Sequence, residues 1–282
     1  MGRRPSGVAD YRVHLPAKLS MIHPYLSLEH PIRFAHRGSR VLWPENTMPA
    51  FQGAFDLGYR YFETDVRISR DGVVVVFHDK TLDRTTNGTG LVSDWLFEDL
   101  RHLDAAWDFN AEEGYPLRGT GVGISSLDEL FSAFPDVHIN IDLKGKSLEW
   151  PVAEIIRDHG RQDRTLIASF VDRRIARFRR VTAGSVATSA GPSAVSAMWT
   201  ASRRGRTIER PVVAYQVPFN YRSLKVDQKY VDAIHKSGAQ VHCWTVNAAD
   251  EMHRLLDMGV DGIVTDRPDI LNEVMRERGH DV

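Results

Sequence analysis

Cysteine is almost absent from this chain. Its 282 residues hold one, Cys243, which excludes an internal disulfide framework and suits a reducing compartment. That thiol sits inside a strand-like run, where a small buried apolar residue is its ordinary role and a nucleophile the unusual one. Net charge is also small. The 36 basic and 37 acidic side chains leave −1, so no global field draws the chain towards nucleic acid. No run approaches the roughly 20 apolar residues of a membrane span. The opening stretch MGRRPSGVADYRVHLPAKLS has charge but lacks the apolar core of a secretory signal. The expected location is the cytoplasm. Apolar residues themselves are not scarce: 42% hydrophobic with 26% charged fits a folded globular protein, and the length suits one α/β barrel.

What the chain does have is a repeated punctuation. Helical patterns end at Gly58, Gly160, Gly238 and Gly259, and a strand-like run follows each within a few residues. Glycine just past a helix end supplies the left-handed cap, so the pattern predicts strand–helix alternation and a mostly parallel sheet. Helix starts agree: Pro49 falls in the first turn after Asn46 or Thr47, and Ser126 with Glu129 makes a capping box. Candidate strands are 32–36, 60–66, 73–77, 137–143, 165–170, 184–188, 212–216, 240–246 and 262–265. An eight-stranded barrel has one too few places for them, and 212–216 is expected to lie in a long loop. Residues 190–211 then form an irregular excursion with one short helix. The other long connection, 80–125, is expected to carry one short amphipathic helix around Trp95, Leu96 and Leu100. Residues 1–30 read as an N-terminal extension lying against the barrel's bottom, and 31–282 as a single (β/α)8 (TIM) barrel.

The chemistry concentrates between Ile32 and Asp79. His36 and His78 end strand-like runs, and between them Glu63 and Asp65 stand two apart, on one face of a strand. The same spacing puts Asp142 and Lys144 together at the end of the fourth run. A barrel gathers strand C-termini at one mouth, so Glu63, Asp65 and Asp142 are candidate ligands for one hard cation, Mg²⁺ or Ca²⁺. The plain alternative is a set of solvated strand-end acids. Arg37, beside His36, has the donor fork to hold a phosphate oxygen and Lys144 a point charge to add, although an outer salt bridge is the simpler role for Arg37. Two imidazoles with such a cluster are the parts of a metal-assisted acid–base site.

Seven blocks occur in order: AHRG, PENT, ETDV, FHDKTLDRTTNGTG, IDLK, CWTVN and GIVTDRP. Over about residues 32 to 271 the chain resembles the glycerophosphodiester phosphodiesterase family. That resemblance implies a barrel hydrolase cleaving glycerophosphodiesters to sn-glycerol 3-phosphate and an alcohol. It implies His36 and His78 as acid–base pair, Glu63, Asp65 and Asp142 as divalent-metal ligands, and Arg37 and Lys144 as phosphate contacts. Glu45 matches an acidic residue near the metal, and Trp244 an aromatic wall beside the glycerol; on its own pattern Trp244 reads as core. In the first half-reaction His36 is the expected base and His78 the acid. Many relatives carry glutamate at position 142, and the 80–125 connection looks too short for the subdomain some of them insert there.

Two other readings compete. A lysophospholipase D would apply the same chemistry to a substrate keeping one acyl chain, and would need an apolar channel, for which Trp95, Phe97, Trp107, Phe109 and Trp199 are the candidates. A phosphodiester-binding protein without catalysis would have lost a histidine or an acid, and none is missing. The expected partner is a small-molecule phosphodiester. Arg173, Arg174, Arg177, Arg179 and Arg180 read as a solvated helix face, with weak contact to an anionic membrane surface as the lesser reading. Arg203, Arg204 and Arg206 read similarly. His242 is expected to be a hydrogen-bonded core residue, while His102, His138, His159, His235 and His253 show no partner pattern.

Overall fold

Runs rich in β-branched and aromatic residues alternate with amphipathic ones, and the architecture follows that alternation. The computed structural model describes residues 23–221 and 224–282. Its strands are β1 (Ile32–His36), β2 (Tyr61–Ile68), β3 (Val74–Val76), β4 (His138–Leu143), β5 (Thr165–Ala168), β6 (Ala187–Thr188), β7 (Ala214–Pro218), β8 (Asn220–Tyr221), β9 (Leu224–Lys225), β10 (Gln240–Trp244) and β11 (Gly262–Thr265). Its helices are α1 (Met48–Asp56), α2 (Phe97–Leu100), α3 (Leu127–Ala133), α4 (Glu149–Asp158), α5 (Asp172–Val181), α6 (Pro192–Ser202), α7 (Gln228–His235), α8 (Ala249–Asp257) and α9 (Pro268–Glu277). Eight strands pair in the order β6-β5-β4-β2-β1-β11-β10-β7, and a parallel bridge from Ser189 to Ala214 joins the two ends. The architecture is a (β/α)8 barrel.

Local chemistry sets the helix starts. Thr47 caps α1 by accepting from the Ala50 amide, and Ser126 and Glu129 exchange hydrogen bonds in the expected capping box. Period-two alternation then layers the barrel interior. Ile32, Phe34 and Tyr61 are fully buried low in the barrel, and two residues further along the same faces come His36 and Glu63. Tyr25, also buried, stoppers the lower end: its carbonyl accepts from the Tyr61 hydroxyl at 2.8 Å and from His138 Nδ1 at 2.7 Å. Residues 1–22, most of the expected extension, lie outside the described residues.

Three expectations need correction. The surplus strand is β3, not 212–216: β3 runs antiparallel to β2 with Val66 opposite Val76, whereas β7 pairs in parallel with β10. The reason is chain length. Only residues 69–73 separate β2 from β3, and a parallel return needs a crossover of about a dozen residues. Residues 190–211 are not an irregular excursion, because α6 is a regular crossover helix of 11 residues opened by Pro192. Third, the arginines of α5 do not all face solvent. Arg174 donates to the Leu143 carbonyl at 2.8 Å and Arg179 to Thr188 at 2.7 Å, bracing strand ends.

The 80–125 connection carries α2, four residues long, and folds on its own apolar cluster of Phe77, Leu82, Val92, Leu100, Ala106 and Ile124. The histidines without a partner pattern in sequence each find a partner in the fold, for example His159 with Asp128 at 2.8 Å and His235 with Asp261 at 2.8 Å. His242 is fully buried beside the Phe34 ring, and burial pushes its imidazole down to about 4. It is a core residue. Among the described residues no helix is long and apolar enough to cross a membrane.

Candidate active site

The strand ends bring most of the expected residues to one place. Asp65 and Asp142 are register partners across β2 and β4. A cavity of about 560 Å³ at this end of the barrel is lined by His36, Arg37, Glu63, Asp65, His78, Asp142, Lys144 and Trp244. Glu45 stands behind this wall. Its Oε1 accepts from Arg37 Nη1 at 2.8 Å, and its two oxygens accept from Arg84 at 3.0 and 2.7 Å.

The turn after β1 aims Arg37. Gly38 has φ +80°, and a Cβ there would come within 2.7 Å of Ala50, so only glycine lets α1 pack this close. Arg37 is 7% exposed and its Nε lies 3.1 Å from Asp65 Oδ2. Lys144 Nζ reaches both Asp142 Oδ2 at 2.7 Å and Asp65 Oδ1 at 3.1 Å. Arg37 is thus a buried ion-pair partner, not an outer one, and it also lines the cavity.

These contacts set the acidities. Burial raises Asp65, but the Lys144 and Arg37 charges more than offset it and hold the carboxyl below its ordinary value. Glu63 is raised by burial and then by the Asp65 charge, and Asp142 is raised by burial against the pull of Lys144.

Each histidine has one ring nitrogen committed to a carboxylate. His36 Nδ1 lies 2.6 Å from Asp266 Oδ1, and Asp266 Oδ2 accepts from Asn247 Nδ2 at 3.0 Å. His36 Nε2 is left 3.7 Å from Glu63. His78 Nδ1 lies 2.5 Å from Asp79 Oδ1, and Arg84 Nε holds the other Asp79 oxygen at 2.5 Å. An ionised carboxylate can only accept, so in both pairs Nδ1 carries the proton and Nε2 is left for chemistry. Burial lowers His36, but Glu63 and Asp266 outweigh it and the imidazole is raised; at His78 burial dominates and lowers it.

The cavity lining also includes apolar residues, Ala190, Pro192, Val195 and Pro218, interleaved with Ser189, Ser196 and Gln216. Phe170, 60% exposed, meets Trp244 edge-on with ring centroids 5.5 Å apart. Trp244 lines the cavity and also packs against the lower core cluster. The aromatic residues expected to build an acyl channel are elsewhere: Trp95, Phe97 and Phe109 pack on the 80–125 cluster, Trp107 lies under Arg118, and Trp199 packs on Tyr230.

Sequence reasoning missed Asp79, Arg84, Phe170 and Asp266. Asp79 was legible as the neighbour of His78, and Asp266 as the acid that follows the last strand in VTDRP. Arg84 lies within the FHDKTLDRTTNGTG block but its partners do not show there, and Phe170 carries no signal without the fold.

Among the described residues no three acidic, histidine or cysteine side chains stand gathered as a ready ligand set, and Lys144 reaches both Asp65 and Asp142. A hard cation nevertheless suits the donors present. Glu63 Oε2 and Asp142 Oδ1 are buried oxygens without a hydrogen-bond partner, and such atoms are ordinarily paired or metal-bound.

The model of the glycerophosphoryl diester phosphodiesterase family matches residues 36–270. The chain belongs to this family. It is 39% identical over 255 residues to a Mycobacterium tuberculosis (strain ATCC 25618 / H37Rv) protein named "Probable glycerophosphodiester phosphodiesterase 2", covering 88% of this chain and 92% of the relative. The glycerophosphoryl diester phosphodiesterase domain of another Mycobacterium tuberculosis protein has the same fold, with TM-score 0.78 at 22% identity, over 88% of this chain and 100% of the other. An Oleispira antarctica phosphodiesterase, solved in complex with the product sn-glycerol-3-phosphate, superposes with TM-score 0.73 at 26% identity, over 88% of this chain and 97% of that one.

Proposed function

We propose that this phosphodiesterase hydrolyses glycerophosphodiesters to sn-glycerol 3-phosphate and an alcohol by acid–base catalysis at His36 and His78. The observation that carries the reading is the pair of carboxylate-held imidazoles lining one cavity with Arg37 and Lys144. The product held by the Oleispira antarctica relative supports the substrate class.

In this scheme Arg37 and Lys144 hold the phosphoryl oxygens, so negative charge that builds there meets fixed cations. One histidine takes the proton of the attacking hydroxyl, and the other gives a proton to the departing alkoxide. Family resemblance makes the first attacker the glycerol's neighbouring hydroxyl. The resulting cyclic phosphate is opened by water with the two roles exchanged. Glu63, Asp65 and Asp142 would hold one divalent cation, Mg²⁺ or Ca²⁺. When bound, that ion supplies positive charge to a phosphate already facing two basic side chains. Trp244, with Phe170 against it, would form the aromatic wall beside the glycerol.

A panel of glycerophosphodiesters and lysophospholipids, run on chelated protein with each metal added back, tests the proposal. Turnover of glycerophosphodiesters, lost on chelation and restored by one of the two ions, is expected. Full activity in verified metal-free protein would remove the cation from the scheme, and no turnover of any diester would end the proposal.

A further inference from the structure

We infer that Arg84 is a positioning residue for His78 and Arg37, a role that rests on the phosphodiesterase reading above. Its guanidinium joins two carboxylates that face different parts of the site. Nε meets Asp79 Oδ2 at 2.5 Å, Nη1 meets Glu45 Oε2 at 3.0 Å and Nη2 meets Glu45 Oε1 at 2.7 Å. Each carboxylate is also committed inward. Asp79 Oδ1 holds His78 Nδ1 at 2.5 Å, and Glu45 Oε1 holds Arg37 Nη1 at 2.8 Å, with Arg37 Nε in turn on Asp65. Charges alternate without a gap from Asp79 through Arg84, Glu45 and Arg37 to Asp65, with the His78 ring hydrogen-bonded at the Asp79 end.

Only a planar fork can fill these three acceptors at once; an ammonium is a point charge and must choose among them. A half-exposed arginine in an ordinary surface pair would contribute little. Arg84 differs because the Glu45 side chain is only 9% exposed and because its partners orient groups lining the cavity. Remove it, and Asp79 is free to swing away from His78. The imidazole then loses the acceptor that fixes its Nδ1–H tautomer, and Glu45 keeps Arg37 as its remaining cation.

The test uses the full chain with added divalent metal and the variants R84A and R84K. For R84A, kcat should fall about 10–100-fold, the usual loss for an outer residue that orients a site group, with KM little changed. R84K should recover only part of the loss. Because the arginine is 46% exposed, its vacated space is open to solvent. Millimolar guanidinium should therefore restore R84A, while ethylammonium should not. Nitrogen NMR of ¹⁵N-histidine-labelled protein gives a readout separate from turnover: one His78 tautomer in wild type and a mixture in R84A. The inference is overturned by any of three results: kcat of R84A within about twofold of wild type, a loss that guanidinium does not reverse, or an unchanged His78 tautomer in R84A. If wild type hydrolyses no diester, the functional reading falls, and the tautomer measurement alone decides this inference.

Discussion

The two imidazole–carboxylate pairs look alike in chemistry and differ in construction. His36 reaches its partner across 230 residues of sequence, from the first barrel strand to the turn after the last, and Asp266 is 5% exposed. His78 uses its own neighbour, and both side chains are partly open, at 30% and 26%. The first pair is held by closure of the barrel. The second is held by a loop, through Arg84. A buried carboxylate has no water to replace its lost partner, whereas a half-exposed one does. The pairs should therefore fail to different degrees when broken.

The largest effect should come from the imidazoles. H36A and H78A should each lower kcat by about 10²–10⁴-fold, the yield of a positioned acid or base, with the fold unchanged by circular dichroism. Retention of more than about a tenth of wild-type activity by either would refute its role. The carboxylates come next and should separate. D266N should cost about 10²-fold in kcat and D79N nearer 10-fold, spanning the usual range for groups that orient a site residue. Equal losses would show that burial does not distinguish the two pairs. Smaller again is the aromatic wall, where F170A should raise KM a few-fold with kcat nearly constant, as for lost uniform binding.

The smallest effect is on stability and belongs to the exposed pair. Burial raises Asp79, yet hydrogen bonds from Arg84 and His78 more than offset this and hold it at about 2. A carboxyl lower in the folded than in the unfolded state stabilises the fold above its unfolded value of roughly 4, and loses that contribution as pH falls through its folded one. Wild type should exceed D79N by less than about 1 kcal/mol at neutral pH, after allowance for solvent screening. Urea midpoints of the two should converge as pH falls from about 4 to about 2. A constant gap across that window would place the stabilisation somewhere other than the Asp79 charge.

The same local-versus-distant contrast explains what could be read in advance. Glu63 with Asp65, and Asp142 with Lys144, are two-residue spacings, and a strand turns such spacing directly into a shared face. The capping box at Ser126 is equally local. The β3 error was avoidable, since five intervening residues permit a hairpin and not a crossover. The acyl-channel expectation failed for another reason. Trp95, Phe97 and Phe109 are apolar in sequence whether they face a ligand or each other, and only packing chose the latter.

By itself the sequence determined the alternation of strands and helices, the residues that end the strands, and the family, because each depends on spacing along the chain. Tertiary structure alone decided that Asp266 serves His36, that Glu45 stands behind Arg37 and is not open to the cavity, and that Phe170 faces Trp244. Those pairings join segments whose separation carries no pattern. They exist because closing eight tilted strands brings the first beside the last and one mouth's loops around a single cavity.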